Sequence, residues 1–135
     1  MSKDWIGYHN FNNTGVNYRS LGESVLYSGA SGNPEPGDKM WIIEGIGKSS
    51  PKLYRLVDCF IVEMVDQDIP TQYKDMKKRI VARNSLMLDK MPINIDDLKD
   101  EKLLEPLKQY LSNSPSMTGA TDKLPALKAL FELAR

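Results

Sequence analysis

Through the first two thirds of the chain, apolar residues fall in short runs bounded by glycine, proline and asparagine, which is the signature of strands. DWIGYHN at residues 4–10 predicts a first strand, and FNNTGVNYRSLGE predicts a loop with one helical turn near Tyr18 to Leu21. Ser24 to Tyr27 predicts a short strand, followed by turn material in SGASGNPEPGD. KMWIIE at 39–44 is aromatic and β-branched between glycines and predicts another strand. After a Gly/Ser/Pro turn at 45–51, KLYRLVDCFIVEMV at 52–65 carries the longest strand signal. Tyr54, Leu56, Phe60, Val62 and Met64 share one parity, and Leu53, Val57, Cys59, Ile61 and Val65 share the other. Apolar residues on both faces imply a central strand or one bent by a bulge. Residues 66–77 are polar and irregular, and KRIVARNSLMLD at 78–89 predicts one or two strands about a turn at Arg83-Asn84.

The last third changes period. From Leu103 the leucines recur at helical spacing, but Pro106 confines a helix to one that starts near Leu104 or kinks. A short turn from Asp96 precedes it, and SNSPSMTGA at 112–120 reads as a loop. Thr121 or Asp122 is placed to cap a final helix with Pro125 in its first turn, and Leu127, Leu130, Phe131 and Ala134 would bury one face against the sheet. Strands first and helices last predict an α+β fold: a small β-barrel or strongly bent antiparallel sheet with helices, two of them at the C-terminus. The 135 residues fit a single domain, strand-rich over 1–92 and helical over 93–135.

Charge adds little globally. Lys plus Arg and Asp plus Glu both number 18, so no net charge draws the protein to nucleic acid or to a membrane. Locally, YKDMKKRIVAR sets Lys74, Lys77, Lys78, Arg79 and Arg83 against Asp75 alone. That patch either binds phosphate, with Lys77, Lys78 and Arg79 as the holders, or guards a solvated edge. Cys59, the single cysteine, sits in an apolar run and is expected in the core. The N-terminus lacks an apolar stretch of signal-peptide length, and no segment approaches the roughly 20 apolar residues of a membrane span. These features predict a cytoplasmic protein without membrane contact.

Known catalytic motifs are missing. His9 is the only histidine, which removes two-histidine metal sites, and neither a G-x-S-x-G elbow nor a P-loop is present. No catalytic residue, cofactor or metal is predicted. A lone general base at His9, aided by Asp58 or Glu44, is the residual enzymatic reading. The segment WIGYHNFNNTGVNY instead combines Trp5, Tyr8, His9, Phe11 and Tyr18 with Asn10, Asn12, Asn13 and Asn17. Aromatic faces stack on a base, and amides both donate to and accept from its edge. The competing reading makes the aromatics core and the asparagines turn residues. Trp41 divides in the same way between core and pocket wall.

Three spaced motifs carry a resemblance: HN-x4-G at His9, Asn10 and Gly15; GD-x2-WII-x-G from Gly37 through Trp41 to Gly45; and Y-x-L-x3-F-x-V at Tyr54, Leu56, Phe60 and Val62. With two closing helices, the chain resembles the bacterial EVE-like proteins of the PUA-like superfamily, relatives of the EVE, YTH and ASCH domains. The resemblance covers residues 5–65 and is looser beyond. The loop before the last helix, Ser-Met-Thr-Gly-Ala-Thr, departs from the aromatic-rich loop of similar proteins. The resemblance implies a PUA-like barrel that binds nucleic acid, DNA ahead of RNA, and recognises a modified base. It implies a base pocket of Tyr8, His9, Asn10 and Asn13 with Trp41 as a wall. It also implies a role in defence against foreign DNA, with cleavage left to a separate nuclease. The alternative is a protein-interaction subunit of a larger assembly that binds no nucleic acid.

Overall fold

The computed structural model describes residues 2–10, 15–47, 53–73, 75–113 and 115–134. The described strands are β1 (Asp4–Asn10), β2 (Val25–Ser28), β3 (Lys39–Ile46), β4 (Leu53–Asp66), β5 (Lys78–Ser85), β6 (Ile93–Asn94) and β7 (Thr118–Gly119). Helices α1 (Glu101–Ser112) and α2 (Leu124–Leu133) and 3₁₀ turns at Tyr18–Leu21 and Ile95–Asp97 complete the elements. The sheet runs β2-β5-β4-β3-β1-β7, with β6 paired to β4. It is mixed: β1 lies parallel to β3, and the other pairs are antiparallel. The sheet curls into a half-barrel with the two helices against it, the second at the C-terminus, which is the expected α+β class.

The curl has local causes. In β4, Leu56 pairs with Ile43 and Asp58 with Ile42, so Val57 is an extra residue. Two further register shifts lie between Ile61 and Met64 where β4 meets β5. Each extra residue bends the strand and increases its twist. The bulge also breaks the alternation expected from sequence. Leu56 and Cys59 join one core cluster while Val57, Phe60 and Val62 join another, so neither simple parity survives along β4. The first cluster lies between the sheet and the helices and holds Ile6, Trp41, Ile43, Leu104, Leu107, Leu127 and Leu130. The second fills the concave side with Trp5, Tyr18, Leu26, Met40, Ile42, Phe60 and Ile80.

Several boundaries differ from expectation. Helix α1 starts at Glu101 because the Asp100 side chain accepts the Leu103 N–H at 3.0 Å. That cap places Pro106 inside the helix and not in its first turn. Lys123, without a side-chain cap bond, precedes α2 in place of Thr121 or Asp122; Asp122 pairs with Lys123 instead. Strand β5 runs through Arg83 and Asn84 without a turn, since Asn84 and Ser85 pair with Ile61 and Phe60. Within the stretch expected to be helical, β6 and β7 add short pairings to β4 and β1. Among the described residues, no helix is long and apolar enough to cross a membrane.

A polar plug sits inside the half-barrel. Glu44 of β3 and Asp58 of β4 are fully buried. Tyr18, also fully buried, serves both: its N–H donates to Glu44 Oε2 at 2.6 Å, and its hydroxyl donates to Asp58 Oδ2 at 2.6 Å. The same hydroxyl accepts the Val25 N–H at 3.1 Å, tying β2 to the plug. Arg55 completes Glu44, while the Ser85 hydroxyl and the Cys59 N–H complete Asp58. Arg19 then reaches the carbonyls of Val57, Met87, Leu88 and Lys90. Tyr18→Phe removes the phenol that Asp58 and Val25 share and is expected to cost about 2–3 kcal/mol. Leu53→Ala, at a side chain 54% exposed, should stay within about 0.5 kcal/mol. Urea titration of both variants checks the contrast.

Candidate functional site

Strands β1 and β2 do not pair with each other, and their meeting is the seam of the half-barrel. The strands approach closely at Gly7, where a β-carbon would come within 2.4 Å of the Leu26 side chain. Beyond that contact the seam opens into a cavity of about 670 Å³. Its wall takes Tyr8 and Asn10 from β1, Tyr27 and Ser28 from β2, Tyr54 from β4, and Asp75 from the loop before β5. Leu111 at the end of α1 and the segment 115–117 close another side.

The phenol rings are set by backbone. Gly45 lies opposite Asn10 on one side and Tyr54 on the other. A β-carbon there would stand 2.0 Å from the Tyr8 hydroxyl, so only glycine leaves room for that ring. Tyr8 and Tyr54 then stand 6.3 Å apart, tilted by 55°. Tyr27 meets Tyr73 edge-on at 4.8 Å. Burial, with Tyr54 and Glu44 nearby, pushes the Tyr8 phenol up to about 12. Gly29 has an equivalent constraint, because a β-carbon would come within 2.3 Å of the Asp75 carbonyl oxygen. Asp75 itself holds φ +64°, a left-handed conformation that aspartate adopts more readily than most residues.

A second cavity of about 550 Å³ shares Gly29 and Ala30 with the first and is lined by Lys77, Lys78, Asn33 and Asp66. Lys77 is exposed. Lys78 Nζ donates to the Gly32 carbonyl and to Asn33 Oδ1. Arg79 forks onto Asp66 at 2.9 and 2.7 Å and lies 3.7 Å from Asp68, so its guanidinium is engaged within the protein.

The structure thus brings Tyr8 and Asn10 together at one cavity and puts Lys77 and Lys78 beside it. It places the remaining sequence candidates elsewhere. Trp41 is buried, donates from its indole to Asp4 Oδ2 at 2.9 Å and meets Phe131 edge-on, so it is core and not wall. His9 points into the half-barrel. Its Nε2 donates to the Val16 carbonyl at 2.8 Å, lies 3.9 Å from Glu44 Oε2, and its ring stacks edge-on against Tyr18. Asn13, with Phe11, Asn12 and Lys74, lies outside the described residues. Cys59 is in the core as expected, and burial pushes its thiol up to about 12, which suppresses the thiolate.

Sequence reasoning missed Tyr27, Tyr54 and Asp75. Tyr54 was within reach, because a β3–β4 hairpin sets an aromatic opposite Gly45. Tyr27 is the outward residue of a short strand beside a glycine loop. Asp75 has no sequence signal, since its place depends on contact with Gly29. In sequence, the chain matches no family model and no curated protein.

Burial lowers the basicity of His9 below the ordinary 6.5, against the opposing pull of the Val16 carbonyl and Glu44. The unfolded chain therefore takes up a proton at a pH where the folded protein does not. Stability from this group is present above 6.5 and is lost as pH falls from 6.5 towards the folded value. As the only histidine, it should give one imidazole resonance titrating below 6.5 by proton NMR. His9→Gln is expected to flatten the stability-against-pH curve in that window.

Proposed function

We propose that this protein binds nucleic acid and recognises a modified base in the seam cavity, in the manner its resemblance to EVE-like proteins implies. The observation that carries the reading is the convergence of Tyr8, Tyr27 and Tyr54 with the Asn10 amide around a cavity of about 670 Å³. Sites for small ligands are concave, rich in aromatic walls and furnished with a few polar groups. A flipped or single-stranded base needs a ring to stack on and an amide to read its edge. Lys77 and Lys78 line the neighbouring cavity across Gly29 and Ala30 and would hold a flanking phosphate, Lys78 with the donor capacity left over from Gly32 and Asn33. Arg79 is assigned to Asp66, and Trp41 to the core. DNA ranks ahead of RNA, and on this reading the protein recognises while a separate nuclease cuts.

The test is a titration of short single- and double-stranded oligonucleotides, plain and base-modified, at two salt concentrations. Tyr54→Leu should weaken binding by about 1–3 kcal/mol, the worth of one stacking ring. Lys77→Ala with Lys78→Ala should reduce the slope of log affinity against log salt by about 1.4–1.8. Arg79→Ala should lower stability and leave that slope in place. Absence of binding at low salt would overturn the reading in favour of a protein-interaction subunit.

A further inference from the structure

The walls of the two cavities differ in charge. Among the described residues lining the seam cavity, Asp75 is the only charged one, and neither lysine nor arginine is present. Asp75 is exposed, and among the described residues it forms no ion pair. The lysines belong to the neighbouring cavity.

The aromatic rings divide in a parallel way. Elsewhere the chain covers rings with its own ammonium groups. Lys3 lies 4.2 Å from the Trp5 ring, Lys123 5.4 Å from Tyr110, and Lys39 and Lys90 both 5.7 Å from Trp41 and Phe131. Among the described residues, Tyr8 and Tyr54 have no such cover, while Tyr27 has the Asp66-held Arg79 as its cross-strand neighbour. A ring face carries negative potential and attracts a cation within about 6 Å. Tyr8 and Tyr54, beside a carboxylate that forms no ion pair among the described residues, make a wall that favours positive charge. The raised Tyr8 phenol keeps its proton and stays neutral, so it does not itself neutralise a cation.

We propose that the seam cavity selects a base that carries its own positive charge, one methylated on a ring nitrogen, over a base methylated on carbon or on an exocyclic amine. The inference rests on the base-reading function above and narrows it. Methylation at N1 of adenine or N3 of cytosine fixes a cation on the ring at neutral pH. The isomers methylated at N6 of adenine or C5 of cytosine have the same atoms in the substituent and no charge.

These isomer pairs are the probes. They are titrated as nucleosides, so that Lys77 and Lys78 have no phosphate to hold, with tyrosine resonances followed by NMR. The expected result is binding of N1-methyladenosine and N3-methylcytidine at least about ten-fold tighter than their isomers. Asp75→Asn keeps the shape, and asparagine also tolerates the left-handed conformation. It should shrink the discrimination between charged and neutral isomers to about two-fold or less. Equal binding of the isomers, or preference for the neutral ones, overturns the charge inference and leaves the base reading standing. If no nucleoside binds, tetramethylammonium is titrated on the same protein. A response of the seam tyrosines that Asp75→Asn abolishes supports the charge preference and overturns the base reading. No response overturns both.

Discussion

Tyr18 is the residue on which the half-barrel depends. Two carboxylates, Glu44 and Asp58, lie fully buried on adjacent strands. An unpaired buried carboxylate costs several kcal/mol, so the concave side is viable only if donors reach both. Tyr18 gives one donor to each, its N–H and its hydroxyl, beside those from Arg55, Ser85 and Cys59, and the Val25 N–H closes the arrangement from β2. The 3₁₀ turn at Tyr18–Leu21 is therefore a structural plug that joins β2, β3 and β4 through polar contacts while apolar packing surrounds it. Arg19, next in sequence, extends the same function to carbonyls between Val57 and Lys90.

The plug and the bulges of β4 together fix where the seam falls. The bulge at Val57 turns both Val57 and Asp58 towards the concave side, which is what places Asp58 beneath the Tyr18 hydroxyl. The curl brings β2 against β1 without pairing them, and at their contact a β-carbon on Gly7 would stand 2.4 Å from the Leu26 side chain. The cavity is the part of the seam left open. Its tyrosines project from strands held on their other edges by full ladders, so the wall rests on the rigid part of the fold.

Much of this was legible in the chain. Runs of aromatic and β-branched residues located β1 and β3 within two residues at either end, and one helical turn near Tyr18 to Leu21 was expected in an Asn- and Gly-rich loop. Two-sided apolarity in 52–65 correctly required a central or bulged strand, but no single-residue pattern could say which residue was extra. Pro106 misled because a strong cap at Asp100 sets the helix start and outweighs the proline's preference for a first turn. At the site, Tyr8 and Asn10 were named with His9, Asn13 and Trp41, and the strand puts those two on one face. His9 and Trp41 were both candidates in sequence yet face opposite sides of the sheet, because Trp41 is in register with Ile6 and His9 has the other parity on β1. Asp75 was beyond reach, since its position arises from a backbone contact 46 residues away in sequence, as 75 minus 29.

A net charge of zero describes this chain poorly, because its charges are sorted. Arg79 is matched by Asp66, Arg55 by Glu44, and four lysines lie over aromatic rings. Pairing of this kind satisfies cations within the fold and withdraws them from ligands. Among the described residues, an exposed Lys77 lies on one side of Gly29–Ala30 and an exposed Asp75 on the other. Opposite charges on either side of a short glycine-containing ridge suit a ligand that is itself divided, with an anionic link at one end and an electron-poor ring at the other. A nucleotide methylated on a ring nitrogen has that form, and a plain phosphate or a plain aromatic ring has only half of it. On the proposed reading, the two cavities would act on one ligand in different ways, one through lysine and the other through the Tyr8 and Tyr54 rings and a carboxylate.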